Sequence, residues 1–295
     1  METQAQIPTR DNTEQQGTRL PGGAQIEVRK MDLSAIENSP KYSHGNDPAL
    51  THFTYALSLL FPEGELFFMD SVRNYRKEIT DPELKKQVKA FLGQEALHTK
   101  EHIAYNDRLN QWGIPVGWVD PWLKRGLNLV RRSPKKDQLA VTAALEHFTA
   151  IMANELLQNE ELQAGFDPAH RALWLWHAIE ETEHKAVAFD VYRVVAGDGI
   201  RAELRRMLTM LGATAGILAA TTFLHIYLMA RDGQLFNVRS WLHFAKWLFI
   251  KPGLFVRLIP AWASYFKWGF HPWQHDNSRL IEGWKAQYEG QYAVA

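Results

Sequence analysis

The chain has 295 residues, and its 46% hydrophobic content is enough to fill one large core or two modest ones. Its 33 basic residues balance its 33 acidic residues, so charge gives it no reason to bind nucleic acid. It has no cysteine, which excludes disulfides, thiolate nucleophiles and cysteine-bound metals, so any metal ion must bind His, Asp or Glu.

The amino-terminal segment is polar. Residues 1–30 lack the apolar stretch of a signal peptide, so we expect a disordered lead-in and a protein that starts in the cytoplasm. The periodicity of apolar residues after this segment is helical almost throughout, and no stretch alternates as a strand does. The sequence therefore predicts an all-α protein.

Four long helices are predicted within residues 31–200, which we interpret as a metal-binding helical bundle. The second and fourth open with Asp-Pro pairs, which place a capping carboxylate before a proline suited to the first helical turn. The first contains Pro62 and Gly64, which predict a break or kink at residues 61–64. A tryptophan-rich connector joins the second to the third. The predicted bounds are about 48–79, 81–112, 136–162 and 167–196.

Residues 201–295 form a hydrophobic region that we expect to associate with a membrane. Met207 to Ala230 carries no formal charge and exceeds the roughly 20 residues that cross a bilayer. From Trp241 to Phe270 aromatic residues alternate with cations, a pattern typical of a helix lying among lipid headgroups. The alternative is that both segments are packed helices of a soluble domain.

The second and fourth helices carry the same motif on an apolar face. Glu95 and His98 lie one turn apart on a stripe of residues spaced by three and four. Glu181 and His184 repeat this spacing in the fourth helix, and His177 lies one turn earlier. Charged groups on an apolar stripe are costly unless something compensates them, and a metal ion would do so.

Each Glu-xx-His helix follows a helix that supplies a lone glutamate. Glu146 is the only charge on the inner stripe of the third helix, where flanking alanines leave space for an ion. Glu65 has this role in the first helix, and Glu63 is a weaker competitor because Gly64 makes the helical phase uncertain. His102 is interpreted as a hydrogen-bonded core histidine. The predicted ligands are Glu65, Glu95, His98, Glu146, His177, Glu181 and His184.

This ligand set predicts a ferritin-like four-helix bundle with a dinuclear metal centre, because such bundles combine lone glutamates with Glu-xx-His motifs. The cofactor would be two metal ions, with iron favoured and manganese or zinc as alternatives. A bundle with interior ion pairs and no metal is the other reading of the same residues.

Four segments carry a family resemblance: residues 62–65 (PEGE), 94–98 (QEALH), 180–185 (EETEHK) and 270–273 (FHPW). They resemble the bacterial family of predicted metal-dependent hydrolases, over nearly all of the chain after about residue 30. The ligand pattern alone is similar to that of di-iron arylamine N-oxygenases, in which a third histidine stands where His177 stands here. The first resemblance implies hydrolysis, and the second implies a di-iron centre that activates dioxygen.

We expect a di-iron oxygenase or oxidase, because carboxylate-rich ligands in an apolar bundle suit oxygen chemistry better than hydrolysis. A di-metal hydrolase and a non-catalytic iron-binding or storage protein remain alternatives. The expected partners are an apolar small molecule or lipid as substrate, an external electron donor if the chemistry is oxidative, and a second copy of the chain in a homodimer. The expected location is the cytoplasm, at the inner face of the cell membrane.

Overall fold

The computed structural model describes residues 25–294, and within this range the protein is all-α apart from one short pair of strands. Most of the predicted lead-in, residues 1–24, lies outside the described residues. The helices α1–α12 are Pro48–Ser58, Phe61–Arg73, Pro82–Gln111, Val119–Val130, Lys135–Gln158, Glu160–Ala164, Pro168–His184, Val187–Ala196, Ile200–Arg231, Val238–Phe249, Leu254–Ser264 and Ser278–Gln287. The strands are β1, Arg29–Met31, and β2, Tyr292–Val294.

The four long helices lie where the sequence predicts them, except that the first ends at Arg73 instead of about residue 79. Two breaks also differ from the prediction. The break in the first helix comes before Phe61, because Pro62 occupies the first turn of α2, where a missing N–H costs nothing. The fourth helix is interrupted between His184 and Val187, although the sequence predicts it continuous. At this break the buried Lys185 donates hydrogen bonds to the His275 carbonyl and to Asn277, partners that no local pattern reveals.

The predicted connector between the second and third helices is itself partly helical, because it contains α4. The third helix ends at Gln158 instead of Leu162, and the short α6 follows it under an Asn159 cap. Both differences come from capping and from packing against neighbours, which periodicity alone does not report.

Two helical hairpins pack against each other around a common space. The first hairpin is α2 with α3, and the second is α5 with the broken helix α7–α8. Contacts of α2 with α5 and of α3 with α8 close the ring. Buried apolar side chains fill one end of it, among them Leu84, Phe91, Leu139 and Val191. Burial of each such side chain contributes about 1.5–3 kcal/mol.

The two ends of the described chain meet in a small antiparallel sheet. Arg29 of β1 pairs with Val294 of β2, and Met31 pairs with Tyr292. The prediction that no segment forms a strand misses this pair, because three residues are too few to show alternation. Residues 29 and 30, which were expected in the disordered lead-in, belong to β1, and the Arg29 side chain is completely buried.

Helix α9 contains the charge-free segment and lies along the bundle. One face packs against α5 and α1. Near its amino end the buried Arg206 pairs with Glu203 and donates to the carbonyls of Tyr265 and Lys267. At its carboxyl end Asp232 contacts His52 at 2.8 Å. Among the described residues it is the one helix long and apolar enough to cross a membrane, and a single such helix is weak evidence.

The predicted amphipathic segment forms two helices, α10 and α11, and its last residues continue into a loop. Buried residues Met210 and Tyr265 share one apolar cluster with residues of α2, α3, α5 and α8. The carboxyl-terminal helices are therefore packed onto the metal-binding bundle, and a domain boundary at residue 201 stays a prediction.

Candidate metal centre

Local capping fixes the phase of the two motif helices. The Asp81 carboxylate accepts hydrogen bonds from the N–H groups of Glu83 and Leu84 at the start of α3. Asp167 caps α7 by accepting from the N–H of Ala169, and in both helices a proline follows the cap. With their starts fixed, both helices turn their Glu-xx-His motifs into the space between the hairpins.

All seven predicted ligand residues lie in this space, and none has more than 4% of its surface exposed. The competing Glu63 is only half-buried, so the structure selects Glu65 of the two. The buried set comprises Glu65 from α2, Glu95 and His98 from α3, Glu146 from α5, and His177, Glu181 and His184 from α7.

The donor atoms form two groups. Glu65, His98 and His177 each place one donor atom within 4.8 Å of the others. Glu95, Glu181 and His184 form a second group by the same measure. Each of the two groups thus offers three buried donor atoms, enough to hold one metal ion.

Two glutamates tie these groups together. Glu146 Oε2 lies 3.3 Å from Nε2 of His184, which adds a fourth residue to the second group. Glu181 Oε1 lies 3.5 Å from His184 Nε2 and 3.1 Å from His177 Nε2, so it reaches both groups. One oxygen of Glu181 therefore lies between the two groups.

The donor atoms fit a metal ion better than they fit one another. Both carboxylate oxygens of Glu95 and of Glu146, and Nε2 of His177 and His184, have no hydrogen-bond partner among the described residues. A buried polar group without a partner costs about 1–3 kcal/mol, and a charged one costs more. Two ligand atoms about 2.1 Å from one ion and at right angles lie about 3.0 Å apart. The contacts of His184 Nε2 with Glu95 and Glu146, at 3.2 and 3.3 Å, resemble that spacing.

Electrostatics lead to the same conclusion. Burial raises the pKa of Glu95 well above its usual range, and the charge of Glu146 raises it further. Burial also raises the pKa of Glu65 strongly and that of Glu146 to about 7. Burial alone would raise the pKa of Glu181, but His184 and His177 outweigh this effect and lower it. Without added positive charge the centre does not hold four ionised carboxylates, and divalent cations would supply that charge.

The imidazole of His184 is oriented by Gln94. The Gln94 amide nitrogen donates to the Glu27 carbonyl and to Glu183, at 2.9 and 3.0 Å, which turns its oxygen toward His184. His184 Nδ1 lies 2.9 Å from that oxygen and therefore carries the proton. Nε2 faces the carboxylates. Burial lowers the pKa of His184, but the charges of Glu181 and Glu146 outweigh this effect and raise it well above its usual range, so a bound metal ion would take the place of the Nε2 proton.

A longer chain of hydrogen bonds orients His177. The Asn106 amide donates to the Ser58 carbonyl, and its oxygen accepts from the Ser58 hydroxyl. With its only proton used, the Ser58 oxygen accepts from His102 Nδ1 at 2.8 Å. Burial lowers the pKa of His102, so the ring is neutral and its Nε2 accepts from His177 Nδ1 at 2.8 Å. His177 Nε2 faces Glu181 Oε1, at a distance of 3.1 Å. His102 is thus the orienting partner of His177.

His98 lies against Glu180, a buried carboxylate outside the predicted ligand set. His98 Nε2 lies 3.1 Å from Glu180 Oε2, and its Nδ1 faces Glu181 at 3.7 Å. The backbone N–H of Arg29, in β1, donates to the other oxygen of this carboxylate, Glu180 Oε1, at 2.9 Å. The Arg29 guanidinium donates to both oxygens of Glu183, at 2.9 and 2.6 Å. One arginine therefore supports His98 through Glu180 and His184 through Glu183 and Gln94.

Two threonines and several rings complete the surroundings. Thr99 donates to Glu65 at 2.8 Å, and Thr149 donates to Glu181. The Phe61 ring stacks on His177 with centroids 4.7 Å apart, and Trp176 meets His98 edge-on. A small, almost entirely apolar cavity of about 80 Å³ has His177 and Glu181 in its wall. The centre thus adjoins a space lined almost entirely by apolar side chains.

Two further histidines lie in the carboxyl-terminal part of the described chain. His271 Nε2 contacts Asp190 at 2.9 Å. His275 Nε2 lies 2.8 Å from the Ser264 hydroxyl. Sequence reasoning missed Gln94, Thr99, Thr149 and Arg29. Gln94 and Thr99 flank the first motif and could have been suspected, but nothing local distinguishes Arg29.

The family model described as "Predicted metal-dependent hydrolase" matches residues 27–276. The matched range contains all seven candidate ligands, as well as Arg29, Gln94 and Glu180. No curated protein and no solved structure matches the chain.

Glu65→Gln should weaken metal binding by about tenfold or more, because it replaces an anionic ligand by a neutral amide of the same size. Metal content after dialysis against a chelator, measured by elemental analysis, reports the loss. Glu63→Gln is the matched control, since Glu63 lies in the same helix but outside both donor groups. Loss of metal from the Glu63 variant with retention by the Glu65 variant would contradict the assignment.

The metal-free protein should lose stability as the pH rises from 6.5 to 8. The folded-state pKa values of Glu146 and Glu180, about 7 and about 8, exceed the usual 4.5, so the stability linked to their protons is lost as the pH passes through these values. Below 6.5 the lowered pKa of His98 acts in the opposite direction. Denaturant unfolding with chelator measures the trend, and metal-loaded protein should show a flatter profile. Rising stability of the metal-free protein over this range would refute the prediction.

Proposed function

The chain belongs to the family of predicted metal-dependent hydrolases, and on that premise we propose that its centre binds two iron ions and uses dioxygen to oxidise an apolar substrate. The proposal is narrower than the family description, which names hydrolysis. It depends on one observation: four carboxylates and three imidazoles are buried together in an apolar helical bundle.

The donor set favours iron over zinc. Zinc ions in proteins usually have four ligands, often nitrogen or sulfur atoms. Seven donors, of which four are carboxylates and one is placed to bridge, suit two ions of higher coordination number with oxygen-rich surroundings. Manganese has similar ligand preferences, so it is the metal that the donor set distinguishes least from iron.

The oxidation that we propose balances as follows. A substrate C–H bond, dioxygen, two electrons from an external donor and two protons give a C–OH group and one water molecule. The iron pair, when bound, would supply the redox steps with dioxygen. The chain's own residues hold the donor atoms, and Gln94 and His102 fix the imidazole protons away from the centre. The rings of Phe61 and Trp176 keep water from two of the ligands.

Hydrolysis is the second candidate, favoured by the description of the family. Two metal ions can activate a bridging water and polarise the oxygen of a substrate, and carboxylates can hold both ions. The apolar lining of the small cavity beside the centre suits this reaction less well, because the nucleophile must come from water.

We further propose that the protein attaches peripherally to the inner face of the cell membrane. The face of α9 away from the bundle exposes Leu204, Leu208 and Leu211, at 50%, 67% and 49% of their surface. Phe236, between α9 and α10, is 89% exposed. Exposed cations such as Lys246 accompany these residues, as in helices that lie among anionic headgroups. Because α9 packs along the bundle and both its ends are tied to it, attachment is favoured over a span.

Protein purified from its native expression should contain about two iron ions per chain. The reduced protein should consume dioxygen in an oxygen-electrode assay, and Glu95→Gln should abolish the uptake by removing a ligand. If the protein instead binds zinc tightly, cleaves esters or amides and takes up no oxygen, it is a hydrolase and the oxygenase proposal is wrong. Iron uptake far above two per chain would indicate storage.

Phe236→Ser should weaken binding to phosphatidylglycerol vesicles by about tenfold, since one large buried apolar side chain contributes about 1.5–3 kcal/mol. Ile103→Ser is the matched control, because Ile103 is also an exposed apolar residue but lies on α3. Vesicle co-sedimentation measures both. Equal loss in the two variants, or no binding by the unaltered protein, would exclude the proposed attachment face.

A further inference from the structure

A second, larger cavity reaches the candidate metal centre from the surface. Its volume is about 660 Å³, and it lies between α2, α4, α5 and α9. Ligand pockets commonly span about 300–1,000 Å³, so the space is large enough for a substrate. Phe61 and Thr149 belong to the walls of both this cavity and the small one beside His177.

The cavity has a buried polar end. Glu65 lies in its wall, is 1% exposed, and its Oε1 has no hydrogen-bond partner among the described residues. The wall between this end and the surface is apolar, with Leu60, Val141 and Ile217 among its residues. A guest in the cavity would therefore place an apolar segment next to a candidate metal ligand.

Three helical glycines widen the outer part of the cavity. Gly126 of α4 and Gly212 and Gly216 of α9 line it, and all three are exposed. A Cβ atom added at any of them would meet no atom within 4 Å. Glycine inside a helix costs about 0.5–1 kcal/mol relative to alanine. These glycines thus keep a passage open where side chains would fit without a clash.

The outer part also presents a cation. Arg125 of α4 lines the cavity and is exposed. Leu211 and Leu218 of α9, on either side of the glycines in sequence, are exposed to 49% and 36%. An apolar interior with a cation at the rim is complementary to a molecule with a long apolar chain and an anionic head.

We propose that this cavity binds a long-chain fatty acid, with its carboxylate at Arg125 and its hydrocarbon chain directed past the glycines toward Glu65. The fatty acid would reach the cavity from the apolar surface of α9. This assignment rests on the proposed function only where it identifies the bound chain as the substrate. The binding itself requires neither dioxygen nor an electron donor.

Displacement of a fluorescent fatty acid by palmitate tests the site in the full-length protein under anaerobic conditions. Gly216→Leu fills the passage and should weaken palmitate binding by about tenfold or more, which is about 1.4 kcal/mol. Leucine is also a better helix former than glycine, so α9 should not be weakened. Gly283→Leu in α12 is the matched control, since it is an exposed helical glycine with open space around it but outside the cavity. If Gly216→Leu does not fold, Gly212→Leu, one turn earlier, replaces it.

A second pair of measurements tests the head group. Arg125→Gln should weaken binding of palmitate about tenfold but leave binding of the uncharged hexadecanol unchanged, because only the carboxylate meets the cation. Unchanged palmitate binding in the glycine variant, or an equal effect of Arg125→Gln on acid and alcohol, would overturn the proposal. If the protein binds palmitate but contains no iron and takes up no oxygen, the fatty-acid site stands and the oxygenase proposal is wrong. If it contains iron and takes up oxygen but does not bind palmitate, the oxygenase proposal stands and the fatty-acid site is wrong.

Discussion

The structure depends on the burial of like charges in one apolar space. Four glutamates enter the bundle together with three histidines, and the cost of desolvating them exceeds what their mutual contacts return. Cations resolve this conflict, since each would neutralise carboxylates whose donor atoms have no other partner. The fold around the centre can be understood as the arrangement that brings these charges together and keeps water away.

Hydrogen bonds outside the centre decide which atoms face it. The proton on each supporting imidazole nitrogen is accounted for, through Gln94 for His184 and through His102 and Ser58 for His177. Arg29 links this outer layer to the sheet formed by the two ends of the described chain. Closure of that sheet and orientation of the ligands are therefore physically connected, although β1 and the centre are far apart in sequence.

The carboxyl-terminal helices give the centre its surroundings. Helix α9 contributes one face to the core and leaves the other apolar face exposed, and its glycines border the large cavity. The same helix is thus suited both to contact lipid and to admit an apolar chain.

The sequence by itself determined the helical class, the four long helices and the seven candidate ligands as buried groups, because periodicity and the cost of a charge on an apolar stripe are local properties. It favoured Glu65 over Glu63, and the burial of Glu65 in the structure agrees with this choice. Only the tertiary structure decided that Glu181 contacts both donor groups, that α7 ends at His184, and that Arg29 lies behind two ligand histidines. These features come from residues up to 154 positions apart, and no local pattern records contacts that form only when the hairpins and the chain ends pack together.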